Sequence, residues 1–377
     1  MKIIICGPAI DEQMEKKLYS ASPAAGRFLN NMIHALNLNG YSTRRAIYIS
    51  YPVVDDSAYQ AAGVSEDMVV FKDRWILPSI LRFRRRLAAS VEGGDIVVFY
   101  NMTYAYWGLS QKVKKMGAVP VLMLADFTDW HEEAGLPRKV ISFLCEREFR
   151  RFDSVISLAD FGPERFSKKA RVQVLRGGIN FGYFSNISQP TDIPEQLTIM
   201  YAGLLSEVTG VDILLRAMRK VKAANLRLLI SGKGDLEEAV KSEAKNDPRI
   251  QFLGFLDVDS YYRKLNEANI FVNPRNMDLP QNRNNFPSKV LEYLATGRVI
   301  ISTRFSGFSE FDGLMEWVDG DEDSLAGKID ETVARYEKIY RQTYESNRAA
   351  AQRYDWTVQA RKIIEAAGMD GNPPAGQ

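Results

Sequence analysis

Histidine and cysteine are almost missing from this 377-residue chain, which holds only His34, His131, Cys6 and Cys145. Two histidines exclude the multi-histidine metal sites, and two distant cysteines without CxxC spacing exclude a disulfide framework or a zinc ribbon. No apolar run reaches the ~18 residues that a membrane-spanning helix needs. The opening MKIIICGPAID reads as a short strand and lacks the long apolar core and small-residue cleavage site of a secretory signal. The expected location is therefore the cytoplasm, or the inner face of the cytoplasmic membrane. An excess of charge of one sign is also missing, with 49 Lys+Arg against 47 Asp+Glu. That balance, with no nucleic-acid-binding motif present, excludes nucleic acid as a partner. No GxGxxG follows the first strand, so a dehydrogenase is a poor reading. The acidic stretches Asp257–Asp259 and Asp319–Asp323 each open a helical pattern, where caps and first-turn acids are expected, and no metal is assigned to them.

What is present is an ordinary globular composition, 46% hydrophobic and 25% charged, enough for roughly two to three domains. The first 185 residues carry 25 basic and 19 acidic side chains, and the remainder 24 and 28, as two domains facing different partners would. Short β-branched runs alternate with amphipathic stretches throughout. The strands expected in the first half are Lys2–Cys6, Arg45–Ile49, Met68–Phe71, Asp95–Tyr100, Val119–Leu124, Ser154–Leu158 and Val172–Leu175. Helices are expected over Ala24–Leu38, Pro78–Ser90, Tyr104–Met116 and Pro137–Phe152. The pattern restarts at Leu197–Ala202, after the polar, two-proline stretch Ser185–Glu195, the best linker candidate. Alternation at this spacing predicts α/β architecture with parallel sheets, in two doubly wound domains that bind ligands at the C-terminal edges of their strands.

Three segments carry candidate chemistry. Asn284–Gly297, NNFPSKVLEYLATG, places Pro287 at a helix start, turns Val290, Leu291 and Leu294 inward, and projects Lys289 and Glu292 from the first turns. A helix N-terminus suits a phosphate, although spacing alone favours an ordinary crossover helix with a solvated acid. Ala125–Glu133, ADFTDWHEE, follows an apolar strand, so Asp126 and His131 either contact a bound ligand or form an ordinary helix start. Phe71–Ser90 combines Trp75, Ile76, Leu77, Ile80, Leu81 and Phe83 with Arg82, Arg84, Arg85 and Arg86, a pattern that fits an anionic membrane surface or a solvated crossover helix. Asn101–Trp107 offers aromatics for stacking or for the core, and the small residues of Ser20–Arg27 permit close backbone approach.

Six blocks from Tyr201 to Thr303 resemble the donor-binding domain of family 4 (group 1) retaining glycosyltransferases of the GT-B fold. They are YAG (Tyr201–Gly203), TGVDILLRAM (Thr209–Met218), LLISGKGD (Leu228–Asp235), IQFLGFL (Ile250–Leu256), ANIFVNPR (Ala268–Arg275) and FPSKVLEYLATG (Phe286–Gly297). RGGIN (Arg176–Asn180) and RYDW (Arg353–Trp356) also resemble the family, in a branch with NPR and FPSK-x-x-EY motifs. The resemblance implies an acceptor-binding domain over 1–185, a donor domain over 196–350, a returning C-terminal helix over 351–367 and a loose tail over 368–377. It implies a metal-independent transfer of sugar, without a cofactor, from a UDP- or GDP-sugar to a glycan or lipid-linked acceptor in surface polysaccharide or glycoconjugate synthesis.

By position, the resemblance assigns Glu292 to the donor's ribose hydroxyls, and the backbone of Asn285, Phe286, Pro287 and Ser288 to the diphosphate and sugar. It assigns Gly254, Phe255 and Leu256 to the base and Gly203 to close approach of the phosphate. Asp126 and His131 become acceptor or sugar contacts. The sequence departs from the family at three positions, where Leu204 and Thr209 replace diphosphate-binding cations and Asn284 replaces a second acid. Arg275, Lys289 and Lys233 are the candidate replacement cations. The departures also motivate a catalytically inactive GT-B homologue that serves as a binding or scaffold subunit. A sugar-nucleotide 2-epimerase shares the fold, but the scarcity of histidine counts against it.

Overall fold

The computed structural model describes residues 1–9, 23–49, 68–71, 76–125, 135–160, 163–185, 187, 189, 193–283 and 285–369. The chain divides into two units, Met1–Gly178 joined by the chain from Trp356 onward, and Ile179–Asp355.

The first unit is built on a seven-stranded, wholly parallel sheet. Its strands are β1 (Lys2–Cys6), β2 (Ser42–Ile49), β3 (Met68–Phe71), β4 (Ile96–Tyr100), β5 (Val119–Leu124), β6 (Ser154–Ser157) and β7 (Arg171–Val174), in the order β3-β2-β1-β4-β5-β6-β7. Central strands such as KIIIC and IVVFY are buried along their length, because helices cover both faces of a parallel sheet. One face carries α1 (Pro23–Leu38) and the other α2 (Ile76–Ser90), α3 (Leu109–Lys115) and α4 (Leu136–Phe149). The helix expected over Tyr104–Met116 is split. Tyr104–Tyr106 forms a single 3-10 turn, and Gly108 at φ 71° separates it from α3. Tyr106 is buried against Phe83 and Phe99, so the aromatics after β4 serve the core.

The second unit holds a six-stranded parallel sheet of β8 (Leu197–Leu204), β9 (Leu226–Lys233), β10 (Ile250–Gly254), β11 (Ile270–Asn273), β12 (Val299–Thr303) and β13 (Glu316–Val318), in the order β10-β9-β8-β11-β12-β13. α5 (Val211–Met218) and α6 (Glu237–Asn246) lie on one face, and α7 (Val258–Glu267) and α9 (Lys289–Thr296) on the other, with the one-turn α8 (Pro280–Arg283) ahead of α9. α10 (Glu322–Ala334) and α11 (Tyr336–Gln352) complete the first of these faces. Asp257 caps α7 by accepting from the Ser260 amide at 2.9 Å, and Asp321, within the Asp319–Asp323 stretch, caps α10 through the Ser324 amide at 2.8 Å. The sheet order turns at β8, whose neighbours are β9 and β11, and the loops after β8 and β11 therefore open side by side.

The division between units falls at Gly178–Ile179, ahead of the polar Ser185–Glu195 stretch. Ile187 from that stretch is buried with Phe184 in the second unit's core, an apolar residue that its polar surroundings conceal in the sequence. After Asp355 the chain forms α12 (Trp356–Gln359) and α13 (Arg361–Ala366), whose Trp356, Ala360, Ile363 and Ile364 pack into the core of the first unit.

Candidate functional site

The C-terminal edge of the second sheet collects most of the residues singled out above. β8 ends at Gly203–Leu204, β9 at Lys233 and β10 at Gly254, while Arg275 follows β11. Each enters as a strand end because the sheet is parallel, so that every strand delivers its last residue to the same edge.

Glu292 lies in the first turn of α9 and is partly buried. α9 is held by its apolar face. Tyr293 stacks on Phe271 with ring centroids 4.3 Å apart, and its hydroxyl lies 3.3 Å from both the amide and the carbonyl of Ala202 on β8. That fastening fixes the helix turn that carries Glu292. Two neighbours address its carboxylate. Tyr261, in the first turn of α7, donates its phenol to Oε2 at 2.5 Å, and the Lys289 ammonium stands 3.5 Å from the same oxygen and 4.0 Å over the Tyr261 ring. Burial, then the charge of Glu292, push the Tyr261 phenol well above its ordinary range, so it remains a proton donor at neutral pH. Tyr261 is the residue that sequence reasoning missed. Its only signal was a tyrosine in the first turn of a helix following β10, and nothing local ties it to Glu292.

Arg275 donates to Asn282 Oδ1 at 3.0 Å. Asn282 is fully buried, and its amide nitrogen donates to the carbonyls of Val208 and Asn276, each at 2.7 Å, which ties the loop after β8 to the loop after β11. Burial raises the Tyr201 phenol to about 12 against the lowering effect of the Thr209 hydroxyl and of the Arg275 charge. Tyr201 itself donates to the Leu204 carbonyl at 2.6 Å. Thr209 is turned to local structure. It donates to the same Leu204 carbonyl at 2.6 Å and forms a capping box with Ser206. Leu204 is 56% exposed, an uncompensated apolar side chain at a strand end.

The other candidates separate. Lys233 lies over the Phe255 ring at 5.2 Å, and Phe255 is 67% exposed. Gly254 adopts φ 68°, a conformation that favours glycine, and its carbonyl accepts from Ser231 at 3.0 Å. Leu256 follows on the same loop. Gly203 falls inside β8, paired with Gly232, and a Cβ on Gly232 would meet the Gly203 carbonyl at 1.8 Å; these glycines let β8 and β9 approach closely. Phe286 is a core residue in side chain, packed on Phe305 and Phe311. Pro287 lies ahead of α9, whose N-cap is Ser288, so Pro287 is not the first helical residue as expected; the helix starts at Lys289. Asn285 donates its amide to the Asn282 carbonyl at 3.4 Å. Asn284, Asp126 and His131 lie outside the described residues, as do Trp75 and part of Ser20–Arg27. Among the described residues no group of three or more His, Cys, Asp or Glu is placed to hold a metal ion.

Residues 196–335 match the family described as glycosyl transferases group 1. The chain is 24% identical over 198 residues to a phosphatidyl-myo-inositol mannosyltransferase of Mycobacterium tuberculosis, covering 50% of this chain and 51% of that protein. It is 26% identical over 165 residues to the amylovoran biosynthesis glycosyltransferase AmsK of Erwinia amylovora, covering 41% of this chain and 40% of the relative. The matches thus span about half the length of these curated relatives, or less. Among solved structures, Anabaena Alr3699/HepE in complex with UDP and glucose superposes with a TM-score of 0.68 at 14% identity, over 97% of this chain and 98% of that one, a likeness of fold. The matched segment lies in the second unit, and the two units together have the GT-B fold of such solved structures.

Proposed function

We propose that the protein is a retaining glycosyltransferase that moves a sugar from a nucleoside-diphosphate sugar to a glycan or lipid-linked acceptor. The observation that carries this reading is the Glu292 carboxylate, fixed in the first turn of α9 at the same sheet edge as Gly254–Leu256 and Arg275. Glu292 accepts from the ribose, Phe255 and its neighbours flank the base, and the first-turn amides of α9 lie toward the diphosphate. Arg275 supplies the positive charge that Leu204 and Thr209 do not. The sheet order supports this, because β11 neighbours β8, and Asn282, which holds Arg275, also bonds the Val208 carbonyl in the loop that lacks a cation. A fixed cation there stabilises the charge that develops on the leaving diphosphate, and that diphosphate takes the acceptor proton, so no protein nucleophile is required. The relatives named for phosphatidyl-myo-inositol mannosyl transfer and for amylovoran biosynthesis support a glycan or glycolipid product, and the neighbour solved with UDP and glucose supports a nucleoside-diphosphate sugar as donor.

The test is turnover of a panel of UDP- and GDP-sugars, followed as nucleoside diphosphate release, by wild type and Arg275→Ala. Loss of a charge-assisted contact predicts a fall in kcat/KM of about 10- to 100-fold in the variant. Wild-type turnover unaffected by the substitution removes Arg275 from the site. Nucleotide binding without any turnover favours the second reading, an inactive binding subunit, which the exposed Leu204 and the structurally committed Thr209 motivate.

The lipid-linked acceptor extends to a membrane contact through the first unit. Leu77 and Leu81 on α2 and Leu136, Val140 and Phe143 on α4 are exposed, on helices that also carry Arg85 and Arg138. No helix among the described residues is long and apolar enough to cross a membrane. Sedimentation with anionic vesicles at low salt, falling as salt rises through the range where screening becomes effective, is the expected result. Equal behaviour with neutral vesicles, or none at low salt, rejects the contact.

A further inference from the structure

We infer that Tyr261 is a positioning residue for the nucleotide: its phenol pins Glu292 Oε2 and thereby presents the rest of the carboxylate to a ribose hydroxyl. This rests on the assignment of Glu292 to the ribose made above. A glutamate side chain on a helix has three rotatable bonds, and an isolated carboxylate in a first turn samples several orientations. Here one oxygen is committed twice, to the Tyr261 phenol at 2.5 Å and to the Lys289 ammonium at 3.5 Å, so rotation of the carboxyl would break both contacts. Tyr261 is in turn held. Its ring lies 5.5 Å from that of Tyr262, which packs on Tyr183 and Phe184, and Lys289 covers its face. The phenol has one proton and gives it to Glu292, so Oε1 is the carboxylate oxygen left for a hydroxyl donor from the ligand. The arrangement spans two helices, α7 and α9, and orders the acid before any nucleotide arrives, so less side-chain freedom is lost on binding.

The experiment is a double-mutant cycle read by titration calorimetry on the full chain, with wild type, Tyr261→Phe, Glu292→Ala and the double variant. The probes are UDP and GDP, each beside its 2′,3′-dideoxy counterpart, which has no ribose hydroxyl to offer. Phenylalanine keeps the ring, the packing on Tyr262 and the contact with Lys289, and removes only the donated proton. Tyr261→Phe is expected to weaken binding of the ribonucleotide about five- to tenfold, leave the dideoxy nucleotide unchanged, and have no further effect once Glu292 is alanine. A merely structural role would weaken both nucleotides alike, or would persist in the Glu292→Ala background, and either result overturns the proposal. If Glu292→Ala abolishes the preference for ribose while Tyr261→Phe leaves it intact, the acid acts without Tyr261 and the positioning role is rejected. If Glu292→Ala itself leaves that preference unchanged, the ribose assignment fails and the inference falls with it.

Discussion

Glu292→Ala is expected to weaken nucleoside diphosphate binding about 10- to 150-fold, the equivalent of a charge-assisted hydrogen bond of ~1.5–3 kcal/mol. Two secondary effects accompany the loss. Lys289, whose ammonium stands 3.5 Å from the carboxylate, is released and adds positive potential near the diphosphate, which offsets part of the loss. The partly enclosed Tyr261 phenol loses its acceptor, which costs the second unit ~1–3 kcal/mol of stability. Glu292→Gln separates these contributions, since an amide oxygen still accepts from Tyr261 but carries no charge. Calorimetric titration of UDP and GDP into the three proteins, with thermal unfolding in parallel, resolves binding from stability. Undiminished affinity in Glu292→Ala would remove the acid from the nucleotide site.

The second large effect is independent of any ligand. Gly210→Ala is expected to destabilise the second unit by about 3–5 kcal/mol, in the range reserved for backbone strain and overpacking. Gly210 closes the 3-10 turn Glu207–Thr209 and opens α5 with φ 73° and ψ 20°, a left-handed conformation that costs an L-residue about 1–2 kcal/mol. A Cβ there would also lie 1.8 Å from the Pro274 carbonyl oxygen, and backbone cannot swing aside as a side chain can. For a unit of this size, 3 kcal/mol corresponds to a fall in Tm of roughly 6–12 °C. The same collision displaces Pro274–Arg275, so surviving protein should also lose nucleotide affinity. A variant that melts with the wild type would contradict the close packing of the two loops.

Most of the elements were legible in the sequence because parallel strands buried on both faces read as continuous β-branched runs. β1, β3 and β5 have the bounds expected of them. The errors lie where a local signal meets tertiary context. Gly108 breaks the stretch after β4 because its backbone turns left-handed, while the flanking apolar pattern continues through it. The three-residue β13, Glu-Trp-Val, has no period of its own and is a strand only because β12 provides a partner. In the site, Glu292 and Arg275 could be singled out from motif positions, but their partners could not. Asn282 stands seven positions from Arg275 in a stretch rich in asparagine, and only its burial and three hydrogen bonds distinguish it from Asn276 or Asn285.

By itself, then, the sequence determined the alternation of strands and helices, the caps that Asp257 and Asp321 provide, and the position of the acid in the first turn of α9, because each depends on neighbours within a few residues. Tertiary structure alone decided what surrounds that acid. Tyr261 meets Glu292 across 31 positions because α7 and α9 lie on the same face of the sheet with their first turns at the same edge, and Arg275 is tied through Asn282 to the loop after β8 because the strand order turns there. A side chain's local propensity carries no information about a partner delivered by another crossover. The contacts that orient this site are therefore properties of the sheet order and of the helices that cover it.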